Sequence, residues 1–144
     1  MEDEKKTVCN LVKLFIEKMH QWEMSCNKIA ADNSMTFQEQ FNLQKKELSD
    51  IFKTFCTQKE RKNGKPNTIS YGSDGSYEYD PIEELITDAI KDEKSNSKYY
   101  VITFREDPLD EKFQYSLLKH DEKWLIDVKK VYDEDKDSWK VISL

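Results

Sequence analysis

Three aspartates at alternating positions are the pattern that most suggests metal chemistry in this 144-residue chain. Asp133, Asp135 and Asp137 follow one another at the spacing of ligands in a calcium-binding loop. Such a loop also needs glycine at its sixth position, for a sharp turn, and glutamate at its twelfth, for bidentate coordination. Those positions hold Ser138 and Leu144. The pattern therefore predicts a solvated turn and no calcium site.

A second candidate for metal binding is the pair His20 and Glu23, three residues apart on a predicted helix. Both side chains could reach one ion, but zinc sites in proteins use three or four protein ligands. The other histidine, His120, lies in a predicted turn, and the three cysteines are widely spaced without a CxxC pair. We expect no metal site, no disulfide and no bound cofactor.

The residues needed for nucleophilic catalysis do not form a complete set either. A serine or cysteine nucleophile needs an adjacent base and an orienting acid. Cys9, Cys26 and Cys56 lie in or beside apolar stripes, where burial raises the pKa of a thiol and suppresses its reactivity. The chain also lacks GxSxG, P-loop and HExxH motifs. We therefore expect a protein that is not an enzyme.

One enzymatic alternative depends on shape and not on a motif. A curved sheet wrapped by helices can leave a cone that holds a small ligand. A tyrosine donor and an aspartate base inside it could catalyse a proton transfer, with Tyr99, Tyr115 and Asp127 as candidates. The competing interpretation places both tyrosines in the core and leaves Asp127 exposed. We favour the latter because the many Phe and Trp residues indicate a filled cone.

Charge is distributed unevenly along the chain, whose net charge is −6. The first 66 residues carry 12 Lys and Arg against 10 Asp and Glu, whereas the remaining residues carry 11 against 19. An acidic half repels nucleic acid and anionic lipid and attracts basic partners. A need for solubility alone would explain the same imbalance.

Tyrosines beside carboxylates mark a candidate contact surface in this acidic half. Tyrosine offers rigid contact area, and carboxylates steer the encounter with a basic protein. Tyr71, Tyr77, Tyr79 and Tyr132 lie near predicted loops among Asp and Glu. The candidate contact residues are Tyr77, Glu78, Tyr79 and Asp80, with Asp133, Glu134 and Asp135 at the rim. The alternative is a tyrosine-rich rim that binds nothing.

Hydrophobic periodicity predicts two long helices at the start of the chain. Apolar residues recur at three- and four-residue steps over residues 8–29 and again over residues 37–55. Thr36 and Glu39 have the spacing of a capping box, which begins a helix. The polar residues 57–67 then predict a loop.

Alternating apolar residues predict strands in the rest of the chain. The predicted strands are residues 68–71, 82–92, 99–104, 113–117, 124–128 and 139–141, and residues 77–79 also alternate. Residues 82–92 fit a helical face as well, and we favour a strand because a hairpin-like turn follows. The step from Val128 to Val131 breaks the two-residue period and predicts a β-bulge.

Helices followed by strands form the order of an α+β domain, in which two helices pack on a curved, mostly antiparallel sheet. The length fits a single domain over residues 1–144. No apolar run approaches membrane-spanning length, and the chain starts with an amphipathic helix and not with a signal core. We expect a cytoplasmic protein that binds neither membrane nor nucleic acid.

Several segments, in this order, resemble bacterial immunity proteins with the nuclear-transport-factor-2-like fold. They are residues 15–23 (FIEKMHQWE), 69–72 (ISYG), 78–81 (EYDP), 115–118 (YSLL) and 123–127 (KWLID), and the final Trp139-Lys140 strand. The resemblance extends from Thr7 to Leu144. One departure is Asp121-Glu122, where an Asp-Gly-type turn is expected.

The resemblance implies a cone-shaped fold and a role without catalysis. Proteins of this kind are similar to antidotes that bind Rhs-type and other polymorphic toxin domains in the cytoplasm of the producing bacterium. The implied partner is a cognate toxin domain, and the acidic half of this chain favours a basic one, such as a nuclease. The resemblance supplies no catalytic or contact residues to transfer. Formation of a homodimer through the sheet face stays open.

Overall fold

The computed structural model describes residues 2–61, 64–73, 75–106 and 110–144. Within these residues, two helices precede five strands. The elements are α1 (Glu2–Ala30), α2 (Phe37–Phe55), β1 (Glu84–Lys91), β2 (Lys98–Arg105), β3 (Glu111–His120), β4 (Lys123–Asp133) and β5 (Ser138–Ile142).

Both helices form where the apolar periodicity predicts them. The buried residues of α1 recur at helical spacing, and they include Val8, Val12, Phe15, Met19, Trp22 and Cys26. Phe15 meets Phe52 and Phe55 of α2 edge to face, with ring centroids 6.3 and 5.9 Å apart. These aromatic contacts fix the two helices against each other.

The predicted capping box begins α2. The Thr36 hydroxyl accepts the Glu39 backbone N–H at 3.1 Å, and the Glu39 carboxylate accepts the Thr36 N–H at 2.9 Å. Two N–H groups that have no partner within the helix are thereby satisfied.

The five strands form one antiparallel sheet in the order β1-β2-β3-β4-β5. The helices cover one face, here called the inner face, and the opposite face is the outer face. Inner-face side chains complete the core, and they include Ala89, Tyr99, Val101, Phe113, Tyr115, Leu117, Trp124 and Ile126. The predicted α+β fold, with two helices on a curved antiparallel sheet, is confirmed.

The ambiguous residues 82–92 form strand β1. A register shift between Ile86 and Asp88 leaves Thr87 unpaired in the β1–β2 register. This bulge changes the phase of the apolar alternation halfway along the strand. The mixed phase explains why the same residues also fit a helical face.

A second bulge lies in β4, ahead of the predicted break between Val128 and Val131. Ser116 pairs with Val128 and Leu117 with Ile126, so Asp127 is the unpaired residue. Beyond it the two faces exchange: Val128 lies on the outer face, and Lys129 lies in the core, 5% exposed. The predicted alternation through Val128 is therefore wrong after Ile126.

The segment between α2 and β1 is irregular, and the strand predicted at residues 68–71 is wrong. The Glu23 carboxylate takes the place of a partner strand: it accepts the backbone N–H groups of Gly72, Glu78 and Tyr79 at 2.8 to 2.9 Å. Because two of these N–H groups belong to residues 77–79, this segment does not form a strand, although its aromatic and acidic side chains alternate. Residues 72–76 (GSDGS) have the composition of a turn, and Asp74 among them lies outside the described residues.

Candidate functional site

Both predicted contact stretches lie at the same end of the sheet. Because neighbouring strands are antiparallel, the starts of β1, β3 and β5 and the ends of β2 and β4 lie together. Residues 77–80 lead into β1, and residues 133–135 begin the turn between β4 and β5, at the opposite edge. We call this the acidic end, after Asp80, Glu83, Glu106, Asp110, Glu111, Asp133, Glu134, Asp135 and Asp137.

Residues 77–80 are held from two directions. From the sheet, the Arg105 guanidinium donates to the carbonyl oxygens of Tyr77 at 2.8 Å and Glu78 at 2.7 Å. From α1, the ring of His20 meets that of Tyr77 edge to face, with centroids 4.8 Å apart, and His20 Nδ1 lies 2.8 Å from the Tyr79 carbonyl oxygen. With the three Glu23 bonds, these contacts make the segment a rigid support.

The side chains of this segment differ in exposure. Tyr79 is 1% exposed, and its ring lies edge to face against Phe15 at 5.6 Å. Tyr79 therefore belongs to the core and offers no side-chain surface to a partner. Tyr77 and Asp80 are half-buried and Glu78 is exposed, so these three provide the accessible surface of the predicted set.

Glu78 and Asp80 also have structural partners. Glu78 accepts the Ser70 hydroxyl at 2.9 Å and forms an ion pair with the buried Lys65. Asp80 accepts the Ile82 backbone N–H at 2.9 Å. A substitution at either position would therefore affect stability as well as binding.

The rim residues occupy the turn after β4. Asp133 accepts the backbone N–H groups of Asp135 at 3.1 Å and Lys136 at 3.4 Å, which fixes the turn. Glu134 and Asp135 are exposed. One aspartate thus orders the turn that presents the other two carboxylates to solvent.

An aromatic cluster on the outer face was not predicted. The sequence pattern assigned Trp139 and Val141 to a buried face, but Trp139 pairs with Tyr132 on the outer face and Val141 is 64% exposed. Alternation alone does not determine which face of an edge strand is buried. A feature of the sequence that could have indicated this outer-face cluster is Tyr132, because it lies next to Asp133 and Glu134.

The interior of the cone holds a buried tyrosine–carboxylate pair that the sequence did not identify. Glu84 Oε2 accepts the hydroxyl groups of Tyr115 and Thr103, both at 2.7 Å. All three residues are buried. Burial, reinforced by the Glu84 charge, raises the pKa of Tyr115 well above its ordinary value. Glu84 Oε2 thus accepts two hydroxyl groups, whereas its other oxygen, Oε1, has no hydrogen-bond partner among the described residues. Glu84 also lines a cavity of about 370 Å³ together with Lys13, Ile16 and Pro81.

The three residues of the enzymatic alternative do not converge. Tyr99 packs edge to face on Trp124 at 5.6 Å, which agrees with its assignment to the core. Asp127 accepts the Thr57 hydroxyl at 2.7 Å and forms an ion pair with Lys59 at 3.1 Å. Burial by itself would raise the pKa of Asp127, but these two partners and the nearby Arg61 cation outweigh it, and the pKa is lowered. The enzymatic alternative is not favoured.

Lys129 is a cation enclosed by aromatic rings. Its Nζ lies 4.2, 4.4 and 5.3 Å from the ring centroids of Tyr79, Phe113 and Tyr115. Burial lowers its pKa below the ordinary value of 10.5. Lys129 also lines a cleft of about 390 Å³, together with the cations Lys65 and Arg105 and the carboxylates Glu78 and Glu111. Charges of both signs therefore face this cleft.

Other kinds of site find no support in the described part of the chain. Burial raises the pKa of Cys26 and that of Cys56 to about 12, so neither thiol forms a thiolate near neutral pH. Among the described residues, no three His, Cys, Asp or Glu side chains are grouped as a metal ion would require. None of the described helices is both long and apolar enough to cross a membrane.

Comparisons with known proteins give two matches. Residues 7–143 match the family described as NTF2 fold immunity protein. The chain is also similar to "Immunity protein RhsIA" of Dickeya dadantii (strain 3937), with 34% identity over 129 residues that cover 90% of each chain. No solved structure matches the chain significantly.

Proposed function

Because the chain belongs to the family of NTF2-fold immunity proteins, we propose that it neutralises a cognate toxin domain by binding it through the acidic end of the sheet. Membership confirms the resemblance that the sequence segments indicated. Immunity through neutralisation of a toxin is the function of the chain. The contact surface, the class of toxin and the place of action are the content of the proposal.

One observation carries the choice of surface. Antiparallel pairing collects acidic residues from every strand end on one side, and rigid segments present them at both edges. Glu78, Glu134 and Asp135 are exposed there. Acidic residues gathered on one side accelerate the encounter with an oppositely charged protein through long-range attraction. Because rigid segments hold them, they need little ordering on binding, which lowers the cost of association.

The charge of this surface indicates the class of toxin. A domain with a basic face is attracted to the acidic end, and a nuclease needs such a face to bind phosphate. The chain would then cover or compete for the face that binds nucleic acid. Nucleic acid itself is not a partner, since the acidic end repels it.

The proposed mechanism involves no chemical step. Tyr115 donates its hydroxyl to Glu84 in the core, and the Cys26 and Cys56 thiols stay protonated near neutral pH. The toxin is then inhibited only while this chain is bound to it. We propose that this occurs in the cytoplasm of the producing cell; homodimer formation stays a prediction.

Two measurements test the proposal. The first is survival of cells that express the toxin domain encoded by the neighbouring gene, with and without this chain. The second is binding of the purified chain to the catalytically inactivated toxin domain by isothermal titration calorimetry. We expect rescue, and a stoichiometric complex whose affinity falls as salt rises.

A variant in which Glu78, Glu134 and Asp135 become Gln, Gln and Asn should bind more weakly than wild type. A variant with Glu93→Gln, Asp121→Asn and Glu122→Gln, at the other end of the sheet, has the same change in net charge and serves as the control. Absence of both rescue and binding by the wild-type chain would refute the proposal. Equal effects of the two variants would refute the assignment of the acidic end.

A further inference from the structure

Two aromatic rings and a lysine form a compact cluster on the outer face at the acidic end. The rings of Tyr132 and Trp139 meet edge to face, with centroids 5.4 Å apart. Lys112 Nζ lies 5.8 Å from the Tyr132 centroid and 5.9 Å from the Trp139 centroid. A cation is attracted to an aromatic face within about 6 Å. The free protein therefore places a cation of its own over these rings.

The cluster lines an open cavity of about 410 Å³. Phe104, opposite Lys112 in the β2–β3 register, forms another wall and is 39% exposed. The remaining lining residues are Asp110 and Glu134, both exposed. Within the described part of the chain, neither carboxylate takes part in an ion pair. The cavity thus combines aromatic walls with two carboxylates that form no ion pair with another described residue.

We propose that this cavity receives an arginine side chain of the toxin domain, which displaces the Lys112 ammonium from the two rings. The inference rests on the proposed function and specifies where one basic residue of the partner is bound. A guanidinium stacks on aromatic rings and forms forked hydrogen bonds with carboxylates. Tyr132, Trp139, Asp110 and Glu134 offer both kinds of contact within one cavity.

Charge complementarity selects a basic occupant. An acidic side chain would be repelled by Asp110 and Glu134, and an apolar one would remove water from these carboxylates without forming an ion pair with them, which is costly. A guanidinium avoids both penalties. Two cations over the same rings repel each other, so Lys112 must leave when the arginine enters. Its long flexible stem allows the ammonium to move into solvent.

The test measures the affinity of the full chain for the catalytically inactivated toxin domain encoded by the neighbouring gene. Trp139→Ala and Tyr132→Ala each remove one ring, and we expect each to weaken binding by about tenfold or more. Lys112→Gln removes the resident cation and leaves the rings in place, and we expect it to tighten binding by about three- to tenfold. A purely structural role of Lys112 predicts the opposite sign.

Two matched variants serve as controls. Phe37→Ala removes an aromatic side chain that is 82% exposed on α2. Lys123→Gln makes the same charge change as Lys112→Gln at the other end of the sheet. We expect each to alter affinity by less than about twofold. Circular dichroism and thermal unfolding verify the fold of every variant.

The sign of the Lys112→Gln effect decides the result. If the wild-type chain binds and Lys112→Gln binds no more tightly than Lys123→Gln, the inference is overturned, even if the ring variants fail to fold. It is also overturned if folded Trp139→Ala and Tyr132→Ala bind as wild type does. In both cases the proposed function stands. Failure of the wild-type chain to bind overturns the proposed function and this inference together.

Discussion

Glu23 in α1 and Tyr79, which lies 56 residues further along the chain, are joined by a 2.9 Å hydrogen bond from the Tyr79 backbone N–H to Glu23 Oε2. The other carboxylate oxygen accepts the N–H groups of Gly72 and Glu78. Glu23 is fully buried. One side chain of the first helix therefore shapes the segment that leads into β1 and supports the acidic end.

Glu23→Gln should destabilise the protein by about 1–3 kcal/mol, because the new amide turns a donor towards the Tyr79 N–H and leaves it unsatisfied. Urea unfolding measures the loss, and hydrogen exchange at the Tyr79 amide should accelerate. Glu17→Gln, on the same helix, is the matched control. A loss no larger than that of the control would contradict the role assigned to Glu23.

Lys129→Met tests the cost of an ammonium in the core. We expect the free energy of unfolding near pH 7 to rise by about 1–2 kcal/mol, since the cost of burying the charge exceeds the attraction of the rings. Burial lowers the Lys129 pKa in the folded state, so the unfolded chain binds this proton more tightly. The cost is fully present below the lowered pKa and disappears as the pH rises towards 10.5.

The stability advantage of Lys129→Met over wild type should therefore shrink from about pH 7 to about pH 10. Urea unfolding across this range measures the difference. Lys130→Met is the control, because Lys130 is the next residue and lies half-buried on the outer face. If the difference in the free energy of unfolding between Lys129→Met and wild type stayed constant with pH, the Lys129 pKa would not control stability. The same pH trend in Lys130→Met would have the same meaning.

Neutralising the turn after β4 should slow association with the toxin domain. For Asp133→Asn combined with Glu134→Gln and Asp135→Asn, we expect a rate constant about three- to tenfold lower at low salt, with a difference that declines as salt rises. Asn keeps the ability of Asp133 to accept backbone N–H bonds. Stopped-flow fluorescence measures the rate. The variant with Glu93→Gln, Asp121→Asn and Glu122→Gln should associate nearly as fast as wild type.

Glu122→Gly should stabilise the hairpin between β3 and β4. Asp121 and Glu122 have φ values of 50° and 65°, the left-handed conformation required at both positions of this two-residue turn. Glycine adopts it without steric cost, so we expect a gain of about 0.5–1 kcal/mol, visible as a higher midpoint of thermal unfolding. Glu93→Gly, in the turn between β1 and β2, is the control. An unchanged midpoint would mean that the surrounding strands already offset the strain.

The elements of the fold were predictable where one local pattern identifies them. The apolar stripes of α1 and α2 and the Thr36–Glu39 capping box each lie within a few turns of chain. The hairpin at Asp121 and Glu122 forms without the expected glycine, because the paired apolar residues of β3 and β4 determine its register. The acidic end follows from strand order together with the positions of the carboxylates.

The remaining features depend on partners distant in the sequence. No local pattern shows that Glu23 would satisfy backbone groups 49 to 56 residues away. The burial of Tyr79 and the pairing of Glu84 with Tyr115 depend in the same way on tertiary contacts. Trp139 lies on the outer face because β5 pairs with the part of β4 beyond the bulge. An alternating pattern identifies a strand, but it does not show which of the two faces of that strand is buried.

The unpaired Asp127 is an extra residue that β4 can lose without a change of face. Leu117 pairs with Ile126 and Ser116 with Val128, so deletion of this one residue would bring the strand into regular pairing. Lys129 and Val131 would stay inward, and Lys130 and Tyr132 would stay outward, by the two-residue period of the strand. Trp139 would therefore keep Tyr132 as its neighbour on β4. The loss would fall on Thr57 and Lys59, which hold the Asp127 carboxylate, so the bulge anchors the segment that follows α2.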